Sequence, residues 1–289
     1  MVEYILGNYL VETGKITKEQ LKQALDKQDS VRVKLGLIAV AEGMMTLEQA
    51  DEINRLQAIK DQRFGDIAIA KGYLTDEQIS KLLQKQGNGY LTFIQTLVDN
   101  EYLLMDEVDE LVNAFRQANG YSISELDALK SDEVDRIVPL FIPEEGKEFT
   151  KVIATAVRTI IRLIDRHVYI GKAEITDAFP ADNQVSQALV GETGIINCFS
   201  EGDGALLKAS SSFGKEAFEQ LDLDALDAAG EFLNCINGLY ASSLSRQNTF
   251  LELMPPDYED VTEKSKKPIC RIPIFVGDQS LYFTVAELL

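Results

Sequence analysis

The chain has 289 residues, 45% of them hydrophobic, and a formal net charge of −19. This length is sufficient for two globular domains, and the excess of acidic residues argues against general binding to nucleic-acid polymers, because their phosphates would be repelled. No apolar run approaches the roughly 20 residues that a membrane span needs, and the first residues lack the pattern of a signal peptide. We therefore expect a cytoplasmic protein that does not insert into a membrane.

Residues that commonly bind transition metals are few. The only histidine is His167, and the three cysteines, Cys198, Cys235 and Cys270, are far apart and form no CxxC pair. We expect free, buried thiols, a structural histidine and no metal site.

The N-terminal third repeats with a period of 29 residues. Two sets of glycines share this spacing: Gly7, Gly36 and Gly65, and Gly14, Gly43 and Gly72. Each copy predicts two short helices, the first ended by a glycine and the second capped by a Thr-x-x-Gln box. The boxes are Thr17 to Gln20, Thr46 to Gln49 and Thr75 to Gln78. A fourth copy without the glycines follows, so residues 1–117 are predicted to be an all-α array of helical repeats.

The repeats resemble the MshEN domain, found at the N-termini of type II secretion and type IV pilus ATPases. In that family, two motifs of the form RLGxxLVxxGxIxxxxLxxxLxxQ, five residues apart, bind cyclic di-GMP. Here Gln28, Gln57 and Gln86 end the copies, and five residues separate Gln28 from Lys34 and Gln57 from Arg63. The resemblance therefore implies a cyclic di-GMP site built from Lys34, Gln57, Arg63 and Gln86.

The leading arginine of that motif is kept only in part. Copy one has Ile5 in its place and copy two has Lys34, and a lysine cannot supply the planar fork with which arginine binds phosphate and guanine. Two alternatives stay open for the repeats. They either bind cyclic di-GMP or form a helical scaffold that docks a partner protein.

Residues 118–148 are predicted to be a linker with one helix around residues 122–129, because Pro139 and Pro143 forbid a continuous helix. The apolar period of 3.6 residues returns at Phe149 and predicts an amphipathic helix over residues 149–167, with Val152, Ala156, Ile160, Leu163 and Ile164 on one face. This helix opens a second domain, residues 149–289.

The second domain alternates predicted strands with a second long helix. Apolar runs predict strands at 168–175, 185–193, 194–200, 204–209, 250–254, 269–276 and 280–285, and a long helix at 223–248. Turns are expected at 201–204 and 277–279. Clustered strands and helices favour an α+β domain, with an antiparallel sheet and long helices on one face.

The long helix carries a polar group on an otherwise apolar pattern. Asp227, Glu231 and Asn234 have the spacing of residues that share one helix face. Gly230 lies between them and costs about 1 kcal/mol relative to alanine, which suggests that another part of the protein comes close to this face. A carboxylate and an amide on a rigid helix can hold a partner's cation and orient a water. The alternative is that these three residues form a solvent-exposed helix face without a binding or catalytic role.

This pattern resembles the CheC/CheX/FliY phosphatases of bacterial chemotaxis, whose motif is Asp or Ser, three residues, Glu, two residues and Asn, followed by a proline. Pro256 takes the place of that proline, one residue earlier than the family spacing, and a single copy of the motif is similar to CheX rather than CheC. The resemblance covers residues 149–289.

The resemblance implies an enzyme that hydrolyses the aspartyl phosphate of a CheY-like response regulator. Mg²⁺ and a lysine on the regulator would hold the phosphoryl group, so this chain would need no cofactor of its own for the reaction. Asn234 would position the attacking water, Glu231 would pair with the regulator's lysine, and Asp227 would support the turn or face the partner. CheX-like domains pair through their sheets, which implies a homodimer. The alternatives are a non-catalytic cyclic di-GMP-binding protein and a pilus or secretion adaptor.

Overall fold

A computed structural model describes residues 1–27, 33–60 and 62–289 of the chain, with the side chains of all of these except 58–60. Gln28, which the repeat pattern places at the end of the first copy, lies outside this part. Contacts between residues divide the chain into two compact units, Val2–Asp132 and Glu133–Leu289. Among the described helices, none combines the length and apolar character that crossing a bilayer requires.

In the first unit, the described elements are helices. They are α1 (Val2–Glu12), α2 (Lys18–Lys27), α3 (Leu35–Ala41), α4 (Leu47–Lys60), α5 (Phe64–Ala70), α6 (Asp76–Gln84), α7 (Gly89–Asp99), α8 (Met105–Ala118) and α9 (Ile123–Lys130). Successive pairs from α1–α2 to α7–α8 follow the 29-residue period, so each copy of the repeat forms two helices.

The predicted glycine caps and Thr-x-x-Gln capping boxes of the repeat are present in the structure. Gly14, Gly43 and Gly72 have φ values of 70°, 65° and 72°, the left-handed conformation in which glycine ends a helix at little cost. In the first copy, the Thr17 N–H donates to Gln20 Oε1 at 2.8 Å, and the Gln20 N–H donates to Thr17 Oγ1 at 3.1 Å. The second and third copies form the same reciprocal pair.

The fourth copy keeps this geometry with other residues. Glu101 lies 29 residues after Gly72 and has a φ of 58°, although it is not a glycine. Leu104 stands where the other copies have threonine, and its N–H donates to Glu107 Oε2 at 3.1 Å. Half of the capping box therefore survives. The apolar residue between the two helices of each copy is buried throughout: Ile16, Met45, Leu74 and Leu103.

The second unit begins with the short helix α10 (Val134–Ile137) and two 3-10 helices, Val138–Phe141 and Glu144–Phe149. Three longer helices follow: α11 (Thr150–Leu163), α12 (Ala205–Gly214) and α13 (Leu223–Ser245). The predicted helix at 149–167 ends at Leu163, because the chain turns where Asp165 Oδ1 accepts the N–H of His167 at 2.9 Å. Leu163 is 41% exposed, so its predicted place on the buried face is wrong.

The sheet of this unit is antiparallel at every pairing. Its strands are β1 (Val168–Ile170), β2 (Glu174–Thr176), β3 (Gln184–Gly191), β4 (Ile195–Glu201), β5 (Leu251–Leu253), β6 (Ile269–Val276) and β7 (Gln279–Glu287). They lie in the order β1-β6-β7-β4-β3-β5, and β2 also pairs with β6. α13 packs against β3, β4 and β5, and Phe199 of β4 stacks on Phe232 of α13 with 5.8 Å between ring centroids.

Two predicted strands differ in the structure. The run at 168–175 is split, because Gly171 to Ala173 bulge opposite Ile272 and Pro273, and the Ala173 N–H donates to Phe141 O instead of to β6. The run at 204–209 is not a strand but the start of α12. There the Glu201 carboxylate accepts the N–H groups of Gly204 and Leu207, which caps a helix in place of the predicted hairpin turn.

Candidate functional site

Helix α13 presents the predicted polar face. Asp222 caps the helix, since its carboxylate accepts the Ala225 N–H at 3.1 Å. Asp227 and Glu231 are exposed and Asn234 is half-buried. The opposite face is buried in the core: Ala225, Ala229, Phe232, Leu233 and Ile236. Leu239, which lies three residues after Ile236, is 39% exposed, so the buried face does not continue to this residue.

Gly230 lies where the helix meets the segment after β5. A Cβ atom built on Gly230 would lie 3.3 Å from Pro256 Cβ and 3.4 Å from Val185 Cγ2. Such contacts are tighter than ordinary van der Waals packing, so the absent side chain lets Pro256 approach the helix backbone. The Met254 N–H donates to Ala188 O at 2.9 Å, and Asp257 exchanges two backbone hydrogen bonds with Ser186. The proline is therefore held from both sides beside the polar face.

Gln187 of β3 fixes the orientation of the Asn234 amide. Gln187 Nε2 donates to Met254 O at 2.7 Å and to Asn234 Oδ1 at 2.9 Å. A backbone carbonyl can only accept, so the end of Gln187 that meets Met254 O must be its NH₂ group. Asn234 must then offer its oxygen to Gln187, and its NH₂ group lies at the other end of the amide, where it is not among the buried polar atoms that lack a partner. Among the described residues, that NH₂ group has no hydrogen-bond acceptor.

The hydrogen bonds continue into the core beneath Asn234. Asn237 Nδ2 donates to Gln187 Oε1 at 2.8 Å, and Asn197 Nδ2 donates to Asn237 Oδ1 at 2.7 Å. Gln187 and Asn197 are direct partners across β3 and β4, and Asn237 lies over both from α13. Gln187 is 1% exposed, and Asn197 and Asn237 are fully buried. These four side chains, Asn197, Asn237, Gln187 and Asn234, form what we call the amide chain.

Asp227 is bound to a residue that the sequence pattern did not identify. The Tyr258 hydroxyl donates to Asp227 Oδ1. Burial raises the pKa of Tyr258 to about 12, and the hydrogen bond to Asp227 and the negative charges of Asp227 and Glu231 add to this effect. Asp227 thus ties the polar face to the segment that carries Pro256.

This arrangement offers two chemical groups to an approaching molecule. The outward NH₂ group of Asn234 can donate a hydrogen bond to a water oxygen and hold that water at a fixed place on a rigid helix. Glu231 lies one helical turn before it, is exposed and forms no ion pair among the described residues, so its carboxylate is available to a cation. Within the described chain, no group of three or more His, Cys, Asp or Glu side chains could hold a metal ion.

No protein-family model matches this sequence, and no curated protein sequence matches it significantly. Over about half of the chain, the structure is similar to solved CheC- and CheX-like proteins. A CheC-like superfamily protein from Shewanella sp. PV-4 is 15% identical with a TM-score of 0.42, over 48% of this chain and 96% of that one. The chemotaxis protein CheX from Vibrio vulnificus is 14% identical with a TM-score of 0.40, over 47% of this chain and 96% of that one. A CheX–CheY–BeF3–Mg complex from Borrelia burgdorferi is 15% identical with a TM-score of 0.40, over 48% of this chain and 96% of that one.

The two glutamines predicted for cyclic di-GMP each donate to a backbone carbonyl next to one of the two predicted cations. Gln86 Nε2 donates to Val33 O at 2.8 Å, next to Lys34, and Gln57 Nε2 donates to Gln62 O at 3.3 Å, next to Arg63. Lys34 and Arg63 both stand at the N-cap positions of their helices, α3 and α5, without a side-chain cap.

Lys34 also borders a cavity of about 200 Å³ in the first unit. Its walls come from α3, α4, α7 and the start of α8, and Lys34 Nζ forms an ion pair with Asp99 at 2.8 Å at its edge. Gln57, Arg63 and Gln86 do not line this cavity. Of the four predicted residues, Lys34 is the one that lines this cavity.

Sequence reasoning missed four residues of the site: Gln187, Asn197, Asn237 and Tyr258. Three of them carry amides on otherwise apolar strands or on the buried face of α13, and an amide in such a position signals a buried hydrogen-bond partner. That signal could have identified them as a group, but not their partners. The three cysteines are free, as predicted, yet Cys235 is only half-buried, whereas Cys198 and Cys270 are buried.

Proposed function

We propose that the unit Glu133–Leu289 hydrolyses the aspartyl phosphate of a CheY-like response regulator. The observation that carries this proposal is the outward NH₂ group of Asn234, fixed by Gln187 on the same exposed helix face as Glu231. The motif Asp227-x3-Glu231-x2-Asn234 resembles that of the chemotaxis phosphatases. Pro256 takes the place of the proline that follows the motif in that family, and it packs on the helix at Gly230.

Asn234 would act on water rather than on the phosphate. One water lone pair accepts a hydrogen bond from Asn234 Nδ2, and the other attacks phosphorus in line with the bond to the aspartyl oxygen. That bond breaks, the regulator's aspartate regains its carboxylate, and the water oxygen and its two protons leave in inorganic phosphate, H₂PO₄⁻. Mg²⁺ and the lysine, both on the regulator, would supply the positive charge that neutralises the phosphoryl oxygens. Asn234 contributes position, which lowers the entropic cost of the attack.

Glu231 would set the register of the docked regulator. Its carboxylate is exposed and unpaired among the described residues, so it can meet the regulator's lysine without first losing a partner in its own chain. At an interface, such a pair is shielded from water and is worth more than on a free surface.

The N-terminal repeats would dock or regulate rather than bind a nucleotide. Lys34 is paired with Asp99, and the Gln86 amide is bound to Val33 O, so both would have to give up a partner to hold cyclic di-GMP. Isothermal titration of the full chain with cyclic di-GMP tests this assignment. We expect no heat of binding, and a saturable heat that is lost in Arg63→Ala would contradict it.

The proposed activity is tested by phosphate release from a panel of phosphorylated receiver domains. We expect the full chain to accelerate release from at least one of them. Glu231→Gln should raise KM roughly tenfold with a smaller change in kcat, because it removes a docking charge. The matched control is Asp224→Asn, which removes an exposed acid from the first turn of the same helix. If no receiver domain loses phosphate faster in the presence of the chain, the proposal is wrong.

A further inference from the structure

We infer that Gln187 is a positioning residue for Asn234: it holds the Asn234 amide with the oxygen inward and the NH₂ group outward. The orientation follows from hydrogen bonds within this chain, and its catalytic consequence rests on the proposed function. Gln187 does not reach the surface, since it is 1% exposed, and it acts only through Asn234.

Gln187 is held at both ends of its own amide. Its nitrogen donates to Met254 O and its oxygen accepts from Asn237 Nδ2. Turning the Gln187 amide by 180° would place oxygen against the Met254 carbonyl and nitrogen against the Asn237 nitrogen, with no water to compensate in this buried position. The single arrangement that satisfies both neighbours leaves one N–H of Gln187 for Asn234 Oδ1.

The rest of the amide chain supports this one orientation. Asn237 must donate to Gln187, so its oxygen is free to accept from Asn197, which lies in β4 below the helix. The amide chain ends at Asn197 Oδ1, which is buried and has no hydrogen-bond partner among the described residues, while its other end reaches the half-buried Asn234. A buried polar chain is costly in a core formed by Phe199, Phe232 and Leu233, and its effect at the surface is to orient one amide.

The orientation matters because the two ends of an amide do opposite things to a water. The NH₂ end donates to a water lone pair and leaves the other lone pair directed outward, whereas the oxygen end accepts a water proton and turns the molecule. Without Gln187, rotation about the last torsion of Asn234 would present both ends, and only some of the docked complexes would hold the water in line.

The first test reads the orientation without any assay of activity. In the ¹⁵N-labelled full chain, we expect both side-chain NH₂ protons of Gln187 to exchange slowly with solvent and those of Asn234 to exchange fast. In Asn234→Ala, one Gln187 proton should lose its protection, and the other, bound to Met254 O, should keep it. Protected Asn234 protons, or Gln187 protons unaffected by Asn234→Ala, would overturn the inference.

The second test measures the consequence with Gln187→Met. We expect kcat for phosphate release to fall roughly 10- to 100-fold while KM stays within about twofold, because docking by Glu231 is untouched. The matched control is Gln184→Met. Gln184 lies in the same strand, is equally buried and donates to a backbone carbonyl, that of Glu259, but does not contact Asn234. An equal loss of kcat in both variants would assign Gln187 a merely structural role and overturn the inference.

The two tests separate this inference from the proposed function. Phosphate release by the native chain with unchanged kcat in Gln187→Met would overturn the inference and leave the function standing. If both Gln187 protons exchange slowly but the native chain releases no phosphate, the amide orientation is supported and the proposed function is contradicted. If Gln187→Met does not fold, the exchange measurement on Asn234→Ala still decides, because that variant changes only a half-buried side chain.

Discussion

Pro256 packs on the backbone of α13 at Gly230. A Cβ atom built on Gly230 would lie 3.3 Å from the Cβ of Pro256. The helix face with Glu231 and Asn234 and the segment with Tyr258 are therefore parts of one surface, although Asp227 and Tyr258 are 31 residues apart in the chain.

The approach at Gly230 predicts a difference between two glycines of the same helix. Alanine in a helix interior is favoured over glycine by about 1 kcal/mol. Gly238 has open space where its Cβ would lie, so Gly238→Ala should raise the free energy of unfolding by about that amount. Gly230→Ala should give none of this gain, because the new methyl group presses on Pro256 and Val185. Urea unfolding measures both, and equal gains would contradict the tight contact.

The raised pKa of Tyr258 predicts a loss of stability at high pH. An unfolded tyrosine ionises near pH 10, whereas the native one stays protonated to about 12. Below pH 10 both states are protonated and the full stability is present. As pH rises from 10 towards 12, only the unfolded state releases the proton, so stability falls. Tyr258→Phe should make the unfolding free energy less dependent on pH in this window. An unchanged slope would contradict the shift.

The different burial of the cysteines predicts selective labelling. Burial raises the pKa of the Cys198 thiol and brings that of Cys270 to about 11, so both should resist a maleimide in the native state. Cys235 is half-buried next to Asn234 and should react first. Mass spectrometry after limited labelling identifies the site. A bulky label on Cys235 should also abolish docking of the regulator, and the matched control is Cys235→Ser treated in the same way.

The fourth repeat predicts a stabilising substitution in the first unit. Glu101 adopts a φ of 58°, which costs a residue with a side chain about 1 kcal/mol relative to glycine. Glu101→Gly should therefore raise the free energy of unfolding by about 1 kcal/mol. Gly72→Ala, at the equivalent position of the third copy, should lower it by a similar amount. A decrease in Glu101→Gly would show that the glutamate side chain contributes more than its backbone costs.

Local patterns carried the parts of the structure that were predicted correctly. Gly14 and the box from Thr17 to Gln20 act within a few residues of themselves, so spacing alone identified them. The run at 204–209 was assigned wrongly because a short apolar segment fits a strand or a helix equally well. The helix is favoured by the Glu201 carboxylate, which lies three residues before the N-cap Gly204 and accepts the N–H groups of Gly204 and Leu207.

The polar face of α13 was predicted from the helical period, but the orientation of the Asn234 amide on that face was not. Gln187 meets Asn234 across 47 residues and Asn237 across 50, and no local pattern encodes such contacts. The sequence could identify Asn234 as a candidate because its neighbours are apolar. The direction of its amide depends on which carbonyl Gln187 meets, and that is settled only when β3, the segment at Met254 and α13 come together.

The most direct measurement is the rate of phosphate release from a phosphorylated receiver domain with the native chain and with Asn234→Ala. We expect kcat to fall roughly 100-fold, because the attacking water is no longer positioned. The variant should stay folded, with a thermal midpoint lowered only by the loss of the Gln187–Asn234 hydrogen bond. Gln247→Ala, which removes an exposed amide two residues past the end of α13, should keep the native rate. If Asn234→Ala releases phosphate at the native rate, the assignment of Asn234 as the water-positioning residue is wrong.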